Sequence, residues 1–168
     1  KISMADLRNW RKGLAVAVGP FELSTALDDL LFDAKTGLYN MIDYKSKAKL
    51  TDEADTAKYY QTQADAYDLA LNANGYPTDG WAYFAYYAPI GVEAGNLTDT
   101  PDGRNFPFTW HCQVIRSKAD HDRAKALTAR GGECLASPTA PKASPACETC
   151  LYLEQRNAFD RAPSGAAA

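Results

Sequence analysis

Residues 19–45 constrain the architecture more than any other stretch of this chain. Leu23, Leu27, Leu30, Leu31, Ala34, Leu38, Met41 and Ile42 recur at steps of three and four, the spacing of one face of an α-helix. Phe32 and Tyr39 widen the apolar arc, leaving Asp28, Asp29, Asp33 and Lys35 for water. An arc that broad suits a helix covered on two sides. Gly19-Pro20 marks its start, because proline in the first helical turn gives up an N–H that has no partner there.

A partner helix is predicted downstream. After a basic, polar connection over residues 45–50, Thr51 can cap a helix whose first turn holds Asp52, Glu53 and Asp55, carboxylates placed at the positive end of the helix dipole. Ala57, Tyr60, Ala64, Tyr67 and Leu71 form its seam, and Asn74-Gly75 with Pro77 ends it. The two helices pack as an antiparallel core pair. An N-terminal helix over residues 3–18 is capped by Ser3 and presents Met4, Leu7, Trp10 and Leu14 on one face. A thinner helix opens at Ser117 and Asp120 and stops at Gly131-Gly132, and another restarts at Ser144-Pro145. The expectation is a mainly α, bundle-like single domain over residues 1–161 with a disordered tail at 162–168. A chain of 168 residues is enough for one such core.

Residues 76–92 fit neither period cleanly. Trp81, Tyr83, Phe84, Tyr86 and Tyr87 alternate with alanines in a way that both a helix and a strand accommodate. They read as a short helix or irregular segment, with short strands as the alternative. Residues 91–105 read as a surface loop carrying the sequon Asn96-Leu97-Thr98, and residues 106–115 include a short extended piece ending near Cys112.

A formal net charge of −3 argues against nucleic acid or an anionic membrane as the main partner, since both select clustered Lys and Arg. No apolar run is long enough to span a bilayer, and no signal peptide is visible. The four cysteines, Cys112, Cys134, Cys147 and Cys150, lie in the C-terminal third. An even count confined to one region predicts two disulfides and an extracellular or periplasmic location. Cys147 and Cys150 share a helix face, so Cys112 and Cys134 are their expected partners, stapling the C-terminal region to the body.

No reaction is announced by a motif: there is no glycine-rich phosphate loop, G-x-S-x-G elbow or H-E-x-x-H helix. Asp28, Asp29 and Asp33 read as the wet face of the central helix, and Asp52, Glu53 and Asp55 as capping residues. His111 and His121, even with Asp120 or Asp122, have no enforced ligand spacing, so neither a metal nor a cofactor is expected. What remains is the aromatic set Tyr76, Trp81, Tyr83, Phe84, Tyr86 and Tyr87, suited to recognising a protein partner or assembly, or a glycan or small ligand. The reading is a non-catalytic secreted or cell-envelope binding protein or assembly subunit. Two alternatives stand beside it: a thiol oxidoreductase or zinc-dependent protein using Cys147 and Cys150, and a helical carrier lined by Tyr60, Tyr67 and Trp81.

Overall fold

The structure, a computed structural model, describes residues 2–9, 11–90 and 109–161. Trp10, the expected loop and sequon at 91–105 and the expected tail at 162–168 lie outside or largely outside them. The elements run α1 (Met4–Leu7), β1 (Leu14–Val18), β2 (Phe21–Thr25), β3 (Asp29–Asp33), β4 (Leu38–Ser46), α2 (Glu53–Ala73), β5 (Trp81–Ile90), β6 (Thr109–Lys118), α3 (His121–Ala136) and α4 (Glu148–Arg161). β1 and β2 form a two-stranded antiparallel sheet; a mixed sheet has the order β3-β4-β5-β6, with β4 and β5 parallel and the other pairs antiparallel. This is an α/β fold, which overturns the expectation of a mainly α bundle.

The correction falls first on residues 19–45, which form strands β2, β3 and β4 and no helix. Two reversals make a continuous helix impossible. Gly19 (φ 60°) and Gly37 (φ 72°) occupy the left-handed region that glycine enters without steric cost. At the second turn, the Gly37 N–H donates to the Asp33 carbonyl and the Lys35 N–H to Asp33 Oδ1, both at 2.8 Å. After the second turn the burial period is two: on β4, Met41 and Asp43 are buried whereas Tyr44 and Ser46 are exposed. The helical spacing arose because the stretch is dense in apolar residues on both strand faces. Leu31 and Phe32, on edge strand β3, remain largely exposed.

The N-terminal helix is likewise reduced to Met4–Leu7, capped by Ser3 as its Oγ accepts from the Asp6 N–H at 3.1 Å. Gly13 then runs so close to β2 that a Cβ there would lie 1.9 Å from the Thr25 carbonyl oxygen. The partner helix does form, as α2, but Asp52 caps it, its carboxylate accepting from the Asp55 N–H at 2.8 Å. Parallel neighbours need a crossover, and α2 is the crossover from β4 to β5. It packs on the sheet face made by Met41, Phe84, Tyr86 and Ile115, with Leu7, Leu14 and Leu27 completing the same core. Residues 81–90, expected as helix or irregular chain, are strand, with Ala82, Phe84, Tyr86 and Ala88 buried on one side. α3 starts at His121, three residues later than its Ser117 and Asp120 signals place it, and continues through Gly131-Gly132 to Ala136.

The chain divides into two compact units, residues 1–132 and 133–168. The second holds α4, whose Leu151, Tyr152, Leu153 and Phe159 are exposed. All four cysteines are free, so the expected disulfide staples are absent and the oxidising compartment inferred from them loses that support. Among the described residues no helix is long and apolar enough to cross a membrane.

Candidate active site

Strand alternation sends Asp43 and Lys45 of β4 to the same side, toward α2, with Tyr44 between them turned away. Asp43 is 2% exposed. Gln63, at the middle of α2, donates from Nε2 to Asp43 Oδ1 at 2.5 Å and to the Tyr67 hydroxyl at 2.6 Å, while its Oε1 accepts from Lys45 Nζ at 3.1 Å. One amide thus holds both the carboxylate and the ammonium. Asp43 Oδ2 is buried, and its partner is the Lys45 ammonium, 2.5 Å away.

That pairing does not meet the full cost of burial. Desolvation pushes the Asp43 carboxyl above the usual aspartate range, against the pull of Lys45; the charge of Asp28 adds to the rise and the Gln63 hydrogen bond opposes it. Burial likewise raises the Tyr67 hydroxyl, with the Asp43 and Asp28 charges in the same sense. Asp28 itself is exposed just before β3 and accepts from the Tyr44 N–H at 3.0 Å, within the Asp43–Lys45 segment. Arg8 secures this corner: its Nε donates to the Asp28 carbonyl at 2.6 Å and its Nη2 lies 3.3 Å from Asp29 Oδ2. Asp29 also accepts from the Tyr44 hydroxyl at 3.2 Å.

A buried carboxylate raised in pKa by burial and by a second carboxylate, even with the Lys45 ammonium against it, is a place where a further cation would be stabilised. Among the described residues no group of three or more His, Cys, Asp or Glu gathers, so a cation here would be held by Asp43 together with Asp28, whose charge reaches it. Two carboxylates suit Mg²⁺, which keeps several waters and completes its shell with substrate phosphate.

The order of these residues, an aspartate followed later by Asp43-Tyr44-Lys45, matches the letters of a family name. The profile of the PD-(D/E)XK nuclease superfamily matches residues 6–155. The chain belongs to that superfamily. No curated protein and no solved structure matches it. Asp43-Tyr44-Lys45 has the spacing of the D-x-K part of that pattern, and upstream of it Asp28 and Asp29 follow Leu27 with no proline before them. Membership of a nuclease superfamily overturns the expectation of a non-catalytic binding protein or subunit, and with it the thiol, zinc and carrier alternatives.

Of the six aromatic residues singled out from the sequence, the five on β5 divide between two sides of the sheet, and Tyr76 precedes that strand. Phe84 and Tyr86 are fully buried under α2, Phe84 with its ring 5.6 Å from Tyr60 and Tyr86 with its hydroxyl 2.9 Å from Thr56 Oγ1. Tyr76 stands edge-on to Tyr39 at 5.2 Å and accepts from the Ile2 N–H. Trp81 lies under the Arg116 guanidinium at 4.4 Å, and Tyr83 is half-buried. Tyr87 lines a shallow cleft of about 400 Å³ with Tyr44, Lys45, Ser46 and Trp110.

His121 meets no metal partners of the kind considered from sequence. Its Nε2 lies 2.5 Å from Asp68 Oδ2, and Arg123 grips buried Asp65 through two nitrogens at 2.5 and 2.7 Å. These pairs anchor the start of α3 to α2. Cys147 and Cys150 contact each other at the start of α4. The Cys150 N–H and thiol and the Thr149 N–H pull the Cys147 thiol below its ordinary pKa.

Asp28, Asp43, Lys45 and Gln63 are the candidate site residues to which the sequence reading gave no chemical role. The signal that could have found Asp43 and Lys45 was Met41-Ile42-Asp43-Tyr44-Lys45, a strand-like stretch with charges on the same side as a core methionine.

Proposed function

We propose that this chain is a divalent-cation-dependent nuclease that hydrolyses a phosphodiester bond of nucleic acid. The observation that carries the reading is Asp43: a buried carboxylate in a D-x-K triplet, raised in pKa, paired with the Lys45 ammonium and reached by the charge of a second carboxylate, Asp28. Asp43 and Asp28 would hold the cation, which when bound supplies an acidified water and charge neutralisation at phosphorus. Gln63 keeps Asp43 Oδ2 aimed into the site by occupying Oδ1, and Tyr67 fixes the Gln63 amide from behind. Lys45, held between Asp43 and Gln63, brings a positive charge toward the phosphate as negative charge develops there. Hydrolysis breaks one P–O ester bond as water oxygen bonds to phosphorus.

This reading replaces the sequence expectation that nucleic acid is not a partner. Overall charge is a poor guide when the cation at the site itself supplies much of the attraction. The test is release of fragments from a labelled DNA or RNA strand in Mg²⁺, with a chelated control. Loss of cleavage on chelation and in Asp43→Asn and Lys45→Ala supports the reading. Mg²⁺-independent cleavage, or cleavage untouched by Asp43→Asn, refutes it.

A further inference from the structure

Beyond the D-x-K triplet, the chain leaving β4 continues as a basic track. Met41, Asp43 and Lys45 follow one another on the side of β4 that faces α2, and Lys47, one residue past the end of β4, lies over the Tyr60 and Tyr86 rings on that side. Lys47 is fixed at its backbone, where its N–H donates to the Tyr87 carbonyl at 3.0 Å. Its ammonium stands 5.3 Å from the ring centre of Tyr86, 5.6 Å from Tyr60 and 5.7 Å from Tyr59. Lys58, from the first half of α2, approaches the Tyr59 ring at 4.9 Å, and Lys45 lies 4.5 Å from Tyr60. Tyr59 itself is 61% exposed. Three ammonium groups and an open aromatic ring therefore gather beside the carboxylate centre, in a chain whose net charge is −3.

We infer that Lys47, Lys58 and Tyr59 form a binding subsite for single-stranded nucleic acid next to the cleavage centre. The inference rests on the nuclease reading and extends it to a substrate class. Ammonium groups along a groove track phosphates, and an exposed ring offers a face on which an unpaired base can stack. A duplex keeps its bases stacked on one another and has none to give to Tyr59, so the pairing of lysines with an open ring favours a single strand. Lys47 and Lys58 are loosely held by ring faces and are free to turn to phosphate, and Lys45 links the track directly to Asp43.

The test is fluorescence anisotropy of fluorescein-labelled oligothymidylate, and of a labelled duplex, with the full chain in chelator so that binding is read without cleavage. Tyr59→Ala is expected to weaken oligothymidylate binding roughly five- to a hundredfold, the range for one lost base–aromatic stack. Tyr59→Phe should restore it, and duplex binding should stay unchanged. Lys47→Ala with Lys58→Ala should flatten the log–log salt dependence by about 1.4, two single-strand phosphates' worth. Unchanged oligothymidylate affinity in Tyr59→Ala, an equal loss on duplex, or failure of Tyr59→Phe to restore binding overturns the subsite. If wild-type protein cleaves a strand in Mg²⁺ while Tyr59→Ala binds normally, only the subsite fails. If the wild type neither binds nor cleaves nucleic acid, the nuclease reading fails and the subsite with it.

Discussion

Replacing Asp43 with asparagine separates a functional carboxylate from a structural one. At 2.5 Å and an effective dielectric constant of about 20, its attraction to Lys45 amounts to about 7 kcal/mol. Stripping water from the two ions costs several kcal/mol each. The raised carboxyl shows that burial prevails. The asparagine would keep the side-chain volume and the Oδ1 acceptor for Gln63, while Lys45 retains Gln63 Oε1 and the Tyr60 ring. The expected change in folding stability is therefore within about 1 kcal/mol of zero, a shift in Tm of less than about 4 °C for a chain of this size. Cleavage should fall on the order of a thousandfold or more, since a metal-supplied stabilisation of several kcal/mol is lost. Thermal unfolding in chelator and strand cleavage in Mg²⁺, on the same preparation, read both quantities. Breaking a purely structural buried pair would instead cost about 3–5 kcal/mol. A Tm lower by roughly 10 °C, or cleavage that survives the substitution, refutes the reasoning.

The same carboxyl predicts a pH dependence. Its folded pKa lies above the unfolded value, so the protonated form contributes stability that is present at acid pH and lost as pH rises through the folded pKa. In chelator, wild type should therefore lose stability relative to Asp43→Asn on going from below the ordinary aspartate pKa to above the raised one; equal slopes in urea titrations across that window would contradict it. Gln63→Leu removes the amide joining Asp43, Lys45 and Tyr67. It should cut cleavage about tenfold to a hundredfold and displace the acid limb of the pH–rate profile, whereas a uniform loss at every pH would assign Gln63 a packing role only. Arg123→Ala leaves Asp65, fully buried, without its cation. Unfolding should become easier by about 3 kcal/mol, and a change under about 1 kcal/mol would show that the Gln61 and Asp120 N–H bonds suffice. Gly13→Ala drives a methyl into the Thr25 carbonyl and should cost about 1–3 kcal/mol, measured as a lower urea midpoint; a neutral result would mean that the β1–β2 sheet shifts freely.

Local chemistry was legible wherever a residue acts on its immediate neighbours. The acidic start and Asn74-Gly75 stop of α2 and the Ser3 cap stand in the letters, because capping and left-handed turns are decided within a few residues; the start of α3 was misplaced, since Asp120 and not Ser117 caps it. The fold class was not legible. Between Gly19 and Lys45 apolar residues are so dense that periods of 2 and 3.6 both find matches, and the choice depends on pairing partners far along the chain. β4 finds its second neighbour, β5, only after the whole of α2, and β5 becomes a strand by lying between β4 and β6. The site shares that origin. Asp43-Tyr44-Lys45 is written in the sequence, but as three letters it reads equally well as solvated charge. Tertiary structure alone buries Asp43, brings Gln63 from α2 onto both charges and sets Asp28 against the Tyr44 backbone. Burial is what changes the chemistry: a carboxylate in water is a solvent-facing group, and the same carboxylate stripped of water is a site for a cation.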